Sequence, residues 1–135
     1  MSELAAGQSK TERLNVDTSR TIAFMGDDCR VYATPELVRD IEMTSRELLL
    51  EHITEGQDSV GTRVAIDHLA ATPLGMDVSI SVEITALKGR HVTLAVECKD
   101  TLDVIARGIH ERFVVDIAKT AERIQQKLER AGASR

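Results

Sequence analysis

Hydrophobic and polar residues alternate with a period of two over most of the second half of the chain. Over 78–86 and 92–98 every second residue is apolar, and the segment 88–90 between them contains a glycine. This pattern predicts two antiparallel strands joined by a hairpin turn. Alternation over 60–68 and a long stretch over 102–116 predict two further strands. Because the connections are short, these four strands should be antiparallel neighbours.

A helical pattern precedes these strands. Thr34 is a favourable N-cap residue, Pro35 a favourable first helical residue, and Glu36 an acid in the first turn, where the helix dipole favours it. Apolar residues then recur with helical spacing at Leu37, Ile41, Leu48 and Leu49. We predict a helix over 35–53, with small residues in its apolar stripe that let a sheet approach closely.

The remaining segments complete the predicted domain. Residues 1–15 are small and charged, which indicates a flexible or weakly helical N-terminal segment; residues 18–25 predict a short first strand. A charged helix over 118–131 has Ala121, Ile124 and Leu128 on one side. This order predicts an α+β fold over 16–135, in which a curved antiparallel sheet wraps around the central helix. One helix cannot cover both faces of the sheet, so we expect a homodimer.

Composition excludes several classes of function. The chain has 135 residues, enough for one domain, with a net charge of −5 and 2% aromatic residues, which argues against nucleic-acid binding. No apolar run reaches the roughly 20 residues that span a bilayer. Cys29 and Cys98 are far apart without paired spacing, which indicates reduced thiols in a cytoplasmic protein and no metal site.

Two polar residues are predicted beside the core. His68 has the strand parity of Val64 and Ile66, and Glu42 flanks the apolar stripe of the helix. Both are costly to bury without a partner, and they could meet in the core. A carboxylate near an imidazole can act as nucleophile or general base. The alternative is a core histidine with satisfied hydrogen bonds and a solvated glutamate.

Thr34 and Gly61 each allow two interpretations. The Thr34 hydroxyl can cap the helix, or the free N–H groups at the helix start can bind a developing oxyanion. Gly61 either lets a ligand approach the strand of His68 or relaxes the start of that strand. Eight helical residues span about 12 Å, so Thr34 and Glu42 of one chain are too far apart to act on one carbon. A site that uses both then takes them from two protomers.

His110, Glu111 and Arg112 follow one another in the last predicted strand. Alternate residues of a strand point to opposite faces, so the three side chains cannot converge simply. This favours structural or interface roles for them.

Five segments together carry a family resemblance. They are Tyr32-Ala-Thr34-Pro35, Glu42, Val60-Gly61-Thr62, Asp67-His68-Leu-Ala-Ala-Thr-Pro73-Leu-Gly75 and Gly108-Ile-His110-Glu-Arg112. Over about residues 18–118 the chain resembles the hotdog-fold thioesterases of the fluoroacetyl-CoA thioesterase family. The Thr-x7-Glu-x25-His spacing agrees with the catalytic triad of that family without a gap.

The resemblance implies an acyl-CoA thioesterase with the hotdog fold, assembled as a homodimer. A tetramer is the alternative assembly. It implies that Thr34, Glu42 and His68 are catalytic, that Gly61 and Thr62 bind the substrate, and that coenzyme A enters as part of the substrate, with no separate cofactor. The alternative is a non-catalytic acyl-CoA binding or sensing protein on the same fold.

One departure from the resembled enzyme concerns the segment before Thr34. The fluoroacetyl-CoA enzyme has a longer, aromatic and proline-rich lid there, whereas this chain has only the loop 26–30. We therefore expect a short or polar acyl group other than fluoroacetyl.

Overall fold

The computed structural model describes residues 3–132, in which five antiparallel strands form one sheet and a long helix packs on it. In chain order the elements are β1 (Ser9–Asn15), β2 (Thr21–Ile22), β3 (Val31–Tyr32), α1 (Thr34–Leu50), β4 (Gln57–His68), β5 (Asp77–Lys88), β6 (His91–Lys99), β7 (Val104–Asp116) and α2 (Ile117–Arg130). The large sheet has the order β1-β5-β6-β7-β4, and β2 pairs separately with β3.

Helix α1 is the centre of the core. It contacts β5 and the two edge strands β1 and β4, so the sheet curves around it as predicted. Its buried apolar side chains are Leu37, Ile41, Leu48 and Leu49. The hydroxyl of the buried Ser45 donates to the Ile41 carbonyl at 2.8 Å, so this small residue lets the sheet approach without leaving a polar group unpaired. The helix ends at Leu50, three residues before its predicted end.

The predicted hairpin of β5 and β6 is confirmed. Four alternate residues of each strand point into the core: Val78, Ile80, Val82 and Ile84, and Val92, Leu94, Val96 and Cys98. The strands pair in register from Lys88 opposite His91 outward. Gly89, between them, has a φ of 60°, a conformation that glycine adopts without steric cost.

The prediction for residues 1–15 is wrong over 9–15. These residues form β1, which pairs with β5 from Ser9 opposite Glu83 to Asn15 opposite Asp77. An edge strand gains its stability from ladder hydrogen bonds, and half of its surface faces solvent, so β1 needs no apolar alternation. Residues 1 and 2 lie outside the described part of the chain.

The predicted strand over 18–25 is mostly absent. Asp17 accepts a hydrogen bond from the Arg20 N–H at 3.1 Å and begins a short 3-10 turn, which leaves only Thr21–Ile22 in strand conformation. Phe24 and Met25, the apolar residues behind the prediction, are 88% and 69% exposed. Their hydrophobicity therefore does not indicate burial in this chain.

A β-bulge changes the direction of side chains in β4. The pairing with β7 shifts between Gly61 and Arg63, so Thr62 has no partner residue. Val64, Ile66 and His68 share the inner face as predicted. Val60, predicted on the same face, is 45% exposed, because the extra residue reverses the alternation.

Helix α2 forms one residue earlier than predicted, and all of its described side chains are at least partly exposed. Ile124 and Leu128, two of the residues on its predicted apolar side, are 57% and 43% exposed in the single chain. Within residues 3–132 neither helix is both long and apolar enough to cross a membrane.

Candidate active site

Thr34 and His68 lie side by side at the start of α1. The Thr34 Oγ1 atom is 2.7 Å from Nδ1 of His68. The N-cap position falls on Ala33, and Thr34 is the first helical residue, so the prediction that Thr34 caps the helix is wrong. Its hydroxyl is thus available to the imidazole.

The chain brings these two residues together through the loop that follows β4. Pro73 forms a β-bridge with Val31, and the Tyr32 N–H donates to the Thr72 carbonyl at 2.8 Å. These bonds hold the segment just before Thr34 against the loop just after His68. The Tyr32 hydroxyl also donates to Asp40, which tightens the same segment onto α1.

The second nitrogen of His68 has no partner. Nε2 is buried and makes no hydrogen bond to any residue of the described chain. Burial of such a nitrogen costs free energy unless a ligand or water forms a hydrogen bond with it. Burial lowers the pKa of His68 below 6.5, so the ring is neutral at pH 7. The residue borders an open groove of about 320 Å³ that is lined by Ile22, Val31, Tyr32, Thr34, His68, Leu69, Ala70 and Ala71.

Glu42 lies elsewhere, two turns along α1. Its Oε1 atom is 3.5 Å from Nη1 of Arg112, and its side chain is 41% exposed. Within one chain His68 contacts Thr34 and Glu42 contacts Arg112, so the contact between Glu42 and His68 that the sequence allowed is not made within one chain. Glu42 follows Thr34 by eight residues on α1, which separates the two positions by about 12 Å along the helix.

Gly61 is the place where the Glu42 carboxylate rests on β4. A Cβ atom at this position would lie 2.1 Å from Oε1 of Glu42. In this chain the group that approaches the glycine backbone closely is the Glu42 carboxylate. Thr62, at the bulge, donates its hydroxyl to the Glu111 carbonyl at 3.2 Å. Its role in substrate binding stays a prediction.

Sequence reasoning missed two residues beside Glu42. His110 and Arg112 are 0% and 4% exposed and point inward, together with Val114, on β7. Glu111 points to the other face and pairs with Arg63 and His91. Because His110, Glu111 and Arg112 were considered together, the sequence did not reveal that His110 and Arg112 share one face of β7. Their shared parity with the buried Ala106 and Val114 was the signal that identifies them.

Within residues 3–132 no three histidine, cysteine or acidic side chains lie close enough to hold a metal ion. The chemistry available at these positions is that of a neutral imidazole with a hydroxyl partner, and of a carboxylate held beside a buried arginine. Such a set suits nucleophilic or general-base attack on a carbonyl.

The two buried histidines predict a pH-dependent stability. Desolvation is the main cause that lowers the pKa of both His68 and His110. An unfolded histidine titrates near 6.5, so the unfolded state binds more protons as the pH falls from about 6.5, and stability drops until the lower folded pKa values are passed. We expect urea melts to give a free energy of unfolding that decreases below about pH 6.5, and less steeply for His110→Gln. Equal slopes in both proteins would contradict a contribution from His110.

Comparison with known sequences identifies the relatives of this chain. The sequence model of the family described as fluoroacetyl-CoA-specific thioesterase matches residues 16–118. The fluoroacetyl-CoA thioesterase of Streptantibioticus cattleyicolor is 32% identical over 97 residues, which are 72% of this chain and 70% of that protein.

Solved structures agree in fold. A structure of the fluoroacetyl-CoA thioesterase has a TM-score of 0.84 at 27% identity, covering 92% of this chain and 97% of that one. A thioesterase superfamily member of Thermus thermophilus has a TM-score of 0.88 at 28% identity, covering 99% and 100%. The predicted hotdog fold is therefore confirmed. With the match to residues 16–118, the chain belongs to the fluoroacetyl-CoA-specific thioesterase family.

Proposed function

We propose that this protein is an acyl-CoA thioesterase whose active site combines residues of two protomers. Thr34 and His68 come from one protomer, and Glu42 comes from its partner. The observation that carries this proposal is the hydrogen-bonded Thr34–His68 pair with its buried, unpartnered Nε2, in a chain whose own Glu42 lies apart.

The sheet edge supports an assembly of two chains. Strand β4 has 12 residues and forms one edge of the sheet, next to β7. Long edge strands are usually paired or covered, because their free N–H and C=O groups invite another strand. A homodimer formed along β4 would bring the Glu42 side of one chain toward the partner, since Glu42 rests on Gly61 of this strand. A two-fold axis there would generate two equivalent sites.

The reaction follows from the chemistry of these groups. The Glu42 carboxylate either adds to the thioester carbonyl carbon, giving an anhydride that water then opens, or takes a proton from the attacking water. The carbon–sulfur bond breaks, the coenzyme A sulfur leaves as thiolate and gains a proton, and the acyl group leaves as the acid. When the Thr34 hydroxyl donates to Nδ1, the His68 proton is on Nε2, which can donate to the thioester.

The substrate class rests on a relative and on the short segment before Thr34. A variant of the fluoroacetyl-CoA-specific thioesterase has been solved with fluoroacetate and CoA, which supports a CoA thioester as substrate. In this chain a short connection joins β2 to β3. It contains the exposed Phe24 and Met25 and the 3-10 turn Asp27–Cys29. The groove beside His68 is thus open, and we propose a short or polar acyl group other than fluoroacetyl. Free thiols at Cys29 and Cys98 are consistent with a cytoplasmic enzyme.

Release of free thiol from a panel of acyl-CoAs tests the activity. The panel should vary chain length and polarity and include fluoroacetyl-CoA and acetyl-CoA. We expect turnover of at least one short or polar ester that exceeds that of fluoroacetyl-CoA. Measurable affinity for acyl-CoAs without thiol release across the panel would instead identify a binding or sensing protein.

Co-expression of two inactive chains tests the shared site. His68→Ala and Glu42→Ala chains, carrying different affinity tags, should each be inactive as homodimers. A mixed dimer has one site with both residues intact, so random pairing should restore roughly a quarter of the wild-type activity. If each site lay within one chain, every site in the mixture would lack one residue and no activity would return. Doubly tagged material that remains inactive would therefore refute the shared site.

A further inference from the structure

Behind Glu42 lies a buried polar cluster formed by Ser59, His110 and Arg112. All three residues are at most 5% exposed, and His110 is fully buried. Buried charged and polar groups persist where their hydrogen bonds are satisfied. The proposed reaction gives no role to Ser59 or His110.

Both ring nitrogens of His110 are engaged. Nδ1 is 2.9 Å from the Arg63 carbonyl oxygen, and Nε2 is 3.1 Å from Nη1 of Arg112. A carbonyl only accepts and a guanidinium only donates, so Nδ1 carries the proton and Nε2 holds a lone pair. Only the neutral Nδ1–H tautomer satisfies both partners. Desolvation lowers the pKa of His110, which keeps the ring neutral.

The guanidinium of Arg112 is fixed from three directions. Nε donates to the Ser59 hydroxyl at 2.7 Å, and Nη2 donates to the Ser59 carbonyl at 2.7 Å. His110 receives the third bond at Nη1. The same Nη1 atom faces Oε1 of Glu42 at 3.5 Å. The orientation of the arginine group nearest the carboxylate is therefore set by Ser59 together with the acceptor that His110 offers.

We propose that His110 is a positioning residue for Glu42, acting through Arg112. Its Nδ1–H tautomer holds Nη1 of Arg112, and Arg112 holds the Glu42 carboxylate over Gly61, where the Cε1 atom of His110 also approaches. The catalytic consequence rests on the proposed thioesterase function. The hydrogen-bond arrangement does not, and it can be tested in the protein without substrate.

Two substitutions of His110 separate positioning from packing. His110→Gln keeps a donor and an acceptor, whereas His110→Leu fills the volume and offers neither. We expect His110→Leu to lower kcat about ten- to hundredfold with little change in KM, since misplacement of a reacting group by about 1 Å has effects of this size. His110→Gln should recover most of the lost kcat. Ile80→Val, in the buried core on β5 and outside this polar cluster, should lower the melting temperature and leave kcat unchanged.

Nitrogen NMR of the histidine rings tests the arrangement independently of activity. At pH 7, without ligand, we expect Nδ1 of His110 to carry the proton and Nε2 to be unprotonated. The Glu42 side-chain carbon signal should shift in His110→Leu and stay near its wild-type value in His110→Gln. An Nε2–H tautomer, an unshifted Glu42 signal in His110→Leu, or equal kcat in His110→Leu and wild type would overturn the proposal. If the wild type releases no thiol, the proposed function fails, and the two NMR measurements alone decide the role of His110.

Discussion

Replacing Glu42 with glutamine should lower kcat for the best acyl-CoA substrate by about a hundredfold to ten-thousandfold, the range typical of a positioned acid–base or nucleophilic group. Glutamine keeps the length of the side chain and can still accept from Nη1 of Arg112, which is 3.5 Å from Oε1 in the wild type. It loses the negative charge that, in the proposed reaction, attacks the carbonyl or takes a proton from water. Because substrate contacts are kept, KM should change little.

Glu47→Gln is the matched control for this substitution. Glu47 is an exposed glutamate on the same helix and undergoes the same chemical change. Steady-state thiol release should give wild-type kcat for Glu47→Gln, with similar melting temperatures for the two variants. Wild-type kcat in Glu42→Gln would show that the carboxylate takes no part in the reaction.

Alanine at position 61 should have the second large effect. Its Cβ would lie 2.1 Å from Oε1 of Glu42, at the end of a flexible side chain. The carboxylate can move away, so the fold should persist while the reacting group shifts by an ångström or more. We expect kcat to fall about a hundredfold with a small change in melting temperature. Retention of wild-type kcat would mean that the observed carboxylate position is not the reactive one.

Gly108 provides the contrast for this prediction. It lies on β7, and a Cβ there would lie 2.1 Å from the Ala65 carbonyl oxygen and 2.6 Å from Cα of Ile66. Backbone atoms within a sheet cannot move aside as a side chain does. Gly108→Ala should therefore lower the melting temperature strongly, whereas Gly61→Ala should mainly lower activity. Calorimetry and thiol release on both variants separate the two effects.

The strands and helix of the core could be predicted because residues that face the core recur at regular intervals in the sequence. Val78 to Ile84 and Val92 to Cys98 alternate without interruption, and α1 carries its apolar residues on one stripe. Strand β1 has no such regular spacing of apolar residues. Its residues are held by the ladder with β5 and by contacts such as that of Lys10 Nζ with Glu51 Oε2 at 2.6 Å. Backbone pairing at an edge has no sequence period to detect.

The candidate site was predicted in its residues and not in its contacts. Thr34, Glu42 and His68 were singled out, but helix capping was one of two interpretations of the Thr34 hydroxyl, and a contact with Glu42 was one of two interpretations of the His68 imidazole. The start of a helix cannot be located to one residue from sequence, and one position decides whether Thr34 caps α1 or contacts His68. The bulge at Thr62 was equally invisible, since an extra residue in β4 is defined only by its pairing with β7.

The separation of Glu42 from the Thr34–His68 pair along one helix has a kinetic consequence. In the proposed assembly an isolated chain contains no complete site, so catalysis requires association. Specific activity would then fall on dilution with the same midpoint as the dissociation of the dimer, following mass action. The rate of substrate turnover would then report the affinity of the two subunits for each other. A compound that weakens the subunit contact would inhibit the enzyme without binding in the substrate groove.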